Sequence, residues 1–180
     1  MKSTNIGEAN KFFYIFTAEF GLVKATAQSV RHLKSKLRFS LEDYSFGLVS
    51  LVRGREIWRI TSAEKKIKIK ETEKFLLISR IFSLLLRLLH GEEKNEYLFE
   101  SLRAGYIFLA ENSLTADELA NFECILALRI LSALGYIGKL GEFDQFTTSP
   151  YFTMEILTKM SALKTRAIFE INKSLEETHL

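Results

Sequence analysis

Glu19–Leu41, EFGLVKATAQSVRHLKSKLRFSL, reads as a β-strand that runs into a cationic loop. No acidic residue lies between Glu19 and Glu42, while Lys24, Arg31, Lys34, Lys36 and Arg38 fall within that interval. The bias extends outward from the loop. Residues 1–70 carry 14 Lys/Arg against 6 Asp/Glu, whereas residues 71–180 carry 11 against 16. A net charge of +3 therefore conceals a basic N-terminal third joined to an acidic remainder. Such asymmetry suits a chain that meets a polyanion with one end, although a basic surface that only keeps a protein soluble gives the same count.

The apolar pattern divides the chain near residue 65. Before it, apolar residues come in short runs rich in β-branched and aromatic types: 12–17 FFYIFT, 21–30 GLVKATAQSV, 46–52 FGLVSLV and 57–61 IWRIT. Each is bounded by glycine or charge, as in a small antiparallel sheet. The expected turns are Glu19-Phe20-Gly21 and Arg53-Gly54-Arg55-Glu56, where Gly21 and Gly54 would admit φ > 0. After residue 70 the spacing becomes helical. Phe75, Ile78, Phe82, Leu85, Leu86 and Leu89 fall on one stripe before Gly91, a C-cap candidate. A second helix spans Tyr97–Glu111. A third runs from Ser113 to Leu134 behind the capping box Thr115-Ala-Asp-Glu118, with room for a break. The last helix runs from Phe152 to about Glu177, with Phe152, Ile156, Met160, Leu163, Ile168 and Ile171 as its buried side. The fold class is α+β: an OB-fold-like small antiparallel β-barrel over residues 1–68, followed by an all-α helical domain over 69–180.

Chemistry on covalent or metal centres finds little support. The single cysteine, Cys124, excludes an internal disulfide and the usual four-cysteine zinc site, which suits a reducing, cytoplasmic home. The three histidines, His32, His90 and His179, have no ligand spacing, and no phosphate loop, dinucleotide motif or HExxH is present. Glu92-Glu93 and Glu176-Glu177 read as solvated charge. The start of the chain lacks the apolar run of a signal peptide. The apolar run Phe75–Leu89 is interrupted by Arg80 and Arg87 and is shorter than the ~20 residues of a bilayer span, so no membrane association is expected. The chain is read as a non-enzyme with no cofactor and no metal.

Binding chemistry is better represented. Lys24, Arg31, Lys34, Lys36 and Arg38, then Arg53, Arg55 and Arg59 around the last hairpin, are the candidate phosphate contacts. Each neutralised phosphate releases counterions and so supplies affinity that does not depend on sequence. Aromatic residues are interleaved with them: Phe12, Phe13, Tyr14, Phe16, Phe39, Tyr44, Phe46 and Trp58. Exposed rings stack on bases, but most of these, Trp58 included, are expected to fill the barrel core.

Two longer runs, 7–38 and 40–64, resemble the N-terminal barrel of the RecO family of bacterial DNA repair proteins. The likeness rests on Gly7-Glu8, on Thr17 and Gly21 at the first turn, on Ser35, Lys36 and Arg38, and on the RGRE turn leading into Trp58-Arg-Ile-Thr-x-Ala. The segments 85–102, 127–140 and 171–180 are similar to that family's helical part. The resemblance implies a cytoplasmic, nucleoid-associated recombination mediator. Such a protein binds single- and double-stranded DNA without sequence specificity, anneals strands, and acts with RecR to load RecA onto strands coated by the single-stranded DNA-binding protein SSB. An SSB tail, acidic with an apolar end, would suit an apolar groove beside an arginine, for which Arg80, Arg87, Arg103 and Arg129 are the candidates.

Two departures from the family pattern stand out. Family members carry apolar strand ahead of the Gly-Glu pair, but six residues precede Gly7 here, so either the first barrel strand is shortened and an edge exposed, or the chain begins late. Many relatives also carry a four-cysteine zinc module where Gly135–Pro150 has no cysteine, leaving packing alone to hold that segment. Two other functions fit the same basic barrel: a protein-interaction adaptor that docks an acidic partner, and an RNA-binding barrel.

Overall fold

In Asn10–Thr17 and Gly21–Ala27 alternate side chains turn inward, Phe13 and Ile15 from the first run and Val23, Ala25 and Ala27 from the second. This period of two is the signature of a sheet with one covered face. In the computed structural model, which describes residues 1–138 and 141–177, these runs are strands β2 and β3 of a five-stranded sheet. The others are β1 (Lys2–Ile6), β4 (Phe46–Arg53) and β5 (Trp58–Ile67). The strand order is β1-β2-β3-β5-β4, that of the five-stranded, partly open OB-fold barrel. One pairing departs from the antiparallel expectation: β3 and β5 run parallel, Ala25 opposite Trp58 and Thr26 opposite Arg59. A crossover between non-consecutive strands produces it, and runs of apolar residues do not disclose crossovers.

The residues ahead of Gly7 form a regular edge strand that pairs with β2 from Lys2↔Tyr14 to Ile6↔Asn10. Among the described residues β1 and β4 do not pair, so the sheet is not closed. The segment before β4 nonetheless reaches β1, where the Tyr44 N–H donates to the Met1 carbonyl (2.7 Å) and Ser3 Oγ donates to Asp43 (2.6 Å). Phe13, Val30, Leu41, Trp58 and Ile60 complete the core of this unit. Gly21 has φ +66, as its turn demands, and a Cβ there would also strike the Glu93 carbonyl. Gly54 does not need positive φ; its lack of a side chain matters because a Cβ would meet the Ile57 carbonyl oxygen at 2.3 Å.

The chain divides into two compact units: Met1–Glu71 with His90–Lys94, and Thr72–Leu89 with the chain from Asn95 onward. The second unit is helical, with α1 (Thr72–Leu88), α2 (Glu96–Glu111), α3 (Ala116–Ala133), a short α4 (Asp144–Thr147) and α5 (Met154–Glu177). Helix α3 is unbroken, starts with the Thr115–Glu118 capping box, and is buried without interruption from Cys124 to Leu131. A helix buried all round is the centre of its bundle. Burial pushes the Cys124 thiol pKa up, as befits a packing residue rather than a nucleophile.

The buried stripes are displaced from those expected. On α1 they are Leu77, Ile81, Phe82, Leu85 and Leu88 rather than the Phe75, Ile78 and Leu89 edge. On α5, Leu157, Met160, Ala167 and Ile171 face inward while Ile168 is exposed. In an apolar run several faces satisfy helical spacing, and packing selects among them. Among the described residues no helix is long and apolar enough to cross a membrane. His179 lies outside the described residues.

Candidate nucleic-acid interface

The loop between β3 and β4 is a succession of turns, with N–H groups of His32, Ser35 and Arg38 donating to the carbonyls of Ser29, His32 and Ser35. It is pinned at both ends. Val30 and Leu41 enter the core and Leu37 packs partly against it. At the near end the Ser29 N–H donates to Asn10 Oδ1 (2.8 Å), and Arg31 donates through its backbone to Ala9 and through Nη1 to the Gly7 carbonyl (2.8 Å). The Gly7-Glu8 turn thus receives the arginine that opens the loop.

Beyond these anchors Lys34, Lys36 and Arg38 stand exposed, and no carboxylate among the described residues pairs with them. Clustered like charges repel, only partly screened across a Debye length of ~8 Å at physiological salt, so the loop is stabilised by any polyanion that lies along it. His32 is exposed within the same loop.

A second basic group lies on the outer face of the sheet. Registers place Thr4, Phe12, Thr26, Arg59 and Val52 in one row across the five strands, and Lys2, Tyr14 and Lys24 in the next. Phe12 and Tyr14 meet edge to face at 5.1 Å and are half-buried, while Lys24 and Arg59 are exposed. At the β4–β5 turn Arg53, Arg55 and Arg59 line a surface groove of about 490 Å³ with Thr26 and Ile57. In OB-folds the strands β2–β3 and the β1–β2 and β4–β5 loops form the oligonucleotide-binding side.

Arg53 differs from its neighbours. It is ion-paired with Glu92, which also accepts from the Trp58 indole (2.9 Å), and the Arg53 guanidinium lies 4.8 Å over the Trp58 ring. Partial burial raises the Glu92 pKa, but hydrogen bonds from Arg53 and Trp58 outweigh that and hold the carboxyl below its ordinary range. The expectation that Glu92-Glu93 is merely solvated charge is corrected here: Glu92 is a buttress of the hairpin. Sequence alone gives no sign of this, because Glu92 is 39 residues from Arg53.

The four helical arginines part ways. Arg80 donates twice to Glu123 (2.7 and 2.6 Å) beside a groove of about 240 Å³ lined by Leu76, Leu77, Leu119 and Ala120 and also by the carboxylates Glu73 and Glu123. Arg103 is held by Glu100 one turn away, and Arg87 is exposed in the last turn of α1. Arg129 is unavailable to a partner. Its side chain is fully buried and donates to the carbonyls of Phe146 (2.7 Å), Pro150 (2.8 Å) and Tyr151 (2.8 Å). Its guanidinium also lies 4.1 Å over the Phe152 ring, and burial lowers its pKa to about 10, leaving it charged at neutral pH. Packing alone was expected to hold the cysteine-free segment before Pro150; a buried cation gathers its carbonyls as well. Among the described residues no group of three His, Cys, Asp or Glu is placed to hold a metal.

Comparison with known proteins agrees with this geometry. The family "Recombination protein O N terminal" matches residues 1–66, which take in β1–β4 and all but the last residue of β5. A DNA repair protein RecO of Thermoanaerobacter sp. (strain X514) is 27% identical over 149 residues, 78% of this chain and 57% of the relative. Residues 1–66 thus match the N-terminal family of RecO, and the chain as a whole is similar to RecO proteins. A RecO of Clostridium novyi (strain NT) is 27% identical over 141 residues, 76% of this chain and 54% of the relative. One from Dehalococcoides mccartyi (strain ATCC BAA-2266 / KCTC 15142 / 195) reaches 38% over 64 residues, 36% of this chain and 25% of the relative. The chain thus spans a little over half the length of RecO proteins matched along both units.

Proposed function

We propose that this protein is a non-enzymatic DNA-binding factor of recombinational repair, with residues 1–68 as the DNA-binding domain and 69–180 as a helical domain for protein partners. The observation that carries the proposal is the run of exposed, carboxylate-free cations Lys34, Lys36 and Arg38 on a loop of an OB-fold-like sheet, with Lys24 and Arg59 on the outer face of that sheet and Arg55 at the β4–β5 turn. Backbone contacts of this kind bind without reading sequence. Neutralising phosphates also lowers the repulsion between two strands brought side by side, which suits annealing.

In this reading the protein works in the cytoplasm on the nucleoid, with RecR, and helps RecA load onto SSB-coated strands. Of the four candidate arginines for the SSB tail, Arg80 is the one we assign, because it flanks a groove with the apolar lining Leu76, Leu77 and Leu119. An arriving carboxylate would have to displace Glu123 from it.

The test is fluorescence anisotropy of a labelled ~30-nucleotide single strand, titrated across a salt series; that length exceeds the site of one OB-fold. A steep slope of log affinity on log salt, similar for unrelated sequences, is expected. Absence of binding at low salt would overturn the proposal.

A further inference from the structure

We propose that Phe39, with Leu33, forms a base-stacking platform in the β3–β4 loop and gives the domain a preference for unpaired strands. The inference rests on the DNA-binding reading above. Of the loop's apolar residues, Val30, Leu37 and Leu41 turn toward the core, whereas Leu33 is 83% and Phe39 68% exposed. Apolar side chains with a core within reach normally fold into it, and loop turns anchored at both ends leave these two in water instead.

Their neighbours decide what covers them. Phe39 follows Arg38, whose guanidinium lies 5.9 Å from the ring centroid, and Leu33 stands beside Lys34. A ligand that satisfies this surface must offer negative charge and flat apolar area at a spacing of one or two residues. An unpaired nucleotide chain does so: phosphates meet Lys34, Lys36 and Arg38 while a base lies on Phe39. In a duplex the base faces are stacked on one another and unavailable, so the platform acts only on unpaired bases. This site is separate from the half-buried Phe12–Tyr14 pair on the sheet.

The test compares a 30-nucleotide thymidine strand with a 30-unit abasic deoxyribose-phosphate strand, which has the same backbone charge and no bases. The full chain is expected to favour the thymidine strand. Phe39→Ala is expected to lower affinity for it about tenfold, within the range for one stacked base, and to leave the abasic affinity and the salt slope unchanged. Leu33→Ala is expected to act in the same direction to a lesser degree. Phe39→Trp is expected to retain the preference and to show tryptophan quenching on binding the thymidine strand.

Equal losses on both strands with Phe39→Ala, or no loss on either, would overturn the platform while leaving backbone binding in place. Failure of the unaltered protein to bind either strand would instead overturn the DNA-binding reading. Vesicles containing phosphatidylserine form a further arm. Capture that depends on Phe39, with strand binding that does not, would assign the surface to a membrane and overturn the inference.

Discussion

Lys34, Lys36 and Arg38 stand in water without a carboxylate partner among the described residues, whereas Arg80 and Arg103 of the helical unit each hold a glutamate and Arg129 holds three backbone carbonyls. The side-chain chemistry is similar and the placement opposite. A cation that is already satisfied contributes to the fold; one left unsatisfied at the surface adds repulsion until an anion arrives. The hairpin lies between these extremes, with Arg53 committed to Glu92 and Trp58 while Arg55 and Arg59 are exposed. Pairing, rather than charge count, therefore separates structural from binding cations in this chain.

The largest effect is expected where a cation is most completely enclosed. Arg129→Ala removes the donor to one buried carbonyl and two partly buried ones and leaves a hole beside Phe152. At about 1–3 kcal/mol per unsatisfied group, partly relieved by relaxation, a loss of about 3–5 kcal/mol is expected in urea unfolding. DNA affinity of the folded protein should be unchanged. A loss below ~1 kcal/mol would show that the segment before Pro150 is held by something else.

Next in size is the loop. The triple change Lys34→Ala, Lys36→Ala, Arg38→Ala should leave thermal stability within ~0.5 kcal/mol. It should lower the magnitude of the salt slope for a single strand by roughly 2, at ~0.7 per lost phosphate contact. Anisotropy across a salt series reads both affinity and slope. An unchanged slope would break the comparison at its other end, since unpaired cations would then contribute nothing to binding.

The hairpin supplies an intermediate case with a pH signature. The Glu92 pKa is depressed in the folded protein, so its contribution is present above the unfolded carboxylate value of ~4.3 and is lost as pH falls through the folded value. Glu92→Gln should cost about 1–2 kcal/mol near neutrality, mainly through the charged hydrogen bond from Trp58, because the exposed ion pair itself adds little. The difference between the two proteins should shrink in acid. A difference that stays constant from pH 7 to pH 3 would mean that Glu92 acts by shape rather than charge.

The sheet and the helices were legible because period-two and helical patterns are local properties. Thr115 with Glu118 announces its helix start within four residues. What could not be read are the features that join distant residues. The parallel β3–β5 pairing, Glu92 beneath Trp58, and Arg129 beneath Pro150 each depend on tertiary approach. The basic loop was legible as charge, but aromatic spacing alone could not tell core Phe13 from exposed Phe39, which the anchoring of Val30 and Leu41 decides. Edge strand β1 is short and mostly polar, KSTNI, and becomes a strand through its pairing with β2.

The smallest effects are expected at Arg80, and they sharpen the comparison most directly. The Arg80–Glu123 pair is geometrically good but largely exposed on the arginine side, and such pairs contribute about 0–1 kcal/mol. Arg80→Ala should therefore change stability by less than ~1 kcal/mol and DNA affinity not at all. Glu123→Gln is the more telling variant, because it frees a cation without adding one and makes the helical unit one charge less acidic. If binding belongs to the loop, single-strand affinity should move less than about twofold, because screening by salt weakens the effect of a charge that makes no phosphate contact of its own. If freeing Arg80 instead raises affinity and steepens the salt slope by a whole contact, DNA extends onto the helical unit, and an arginine counted as satisfied would prove to be one held in reserve.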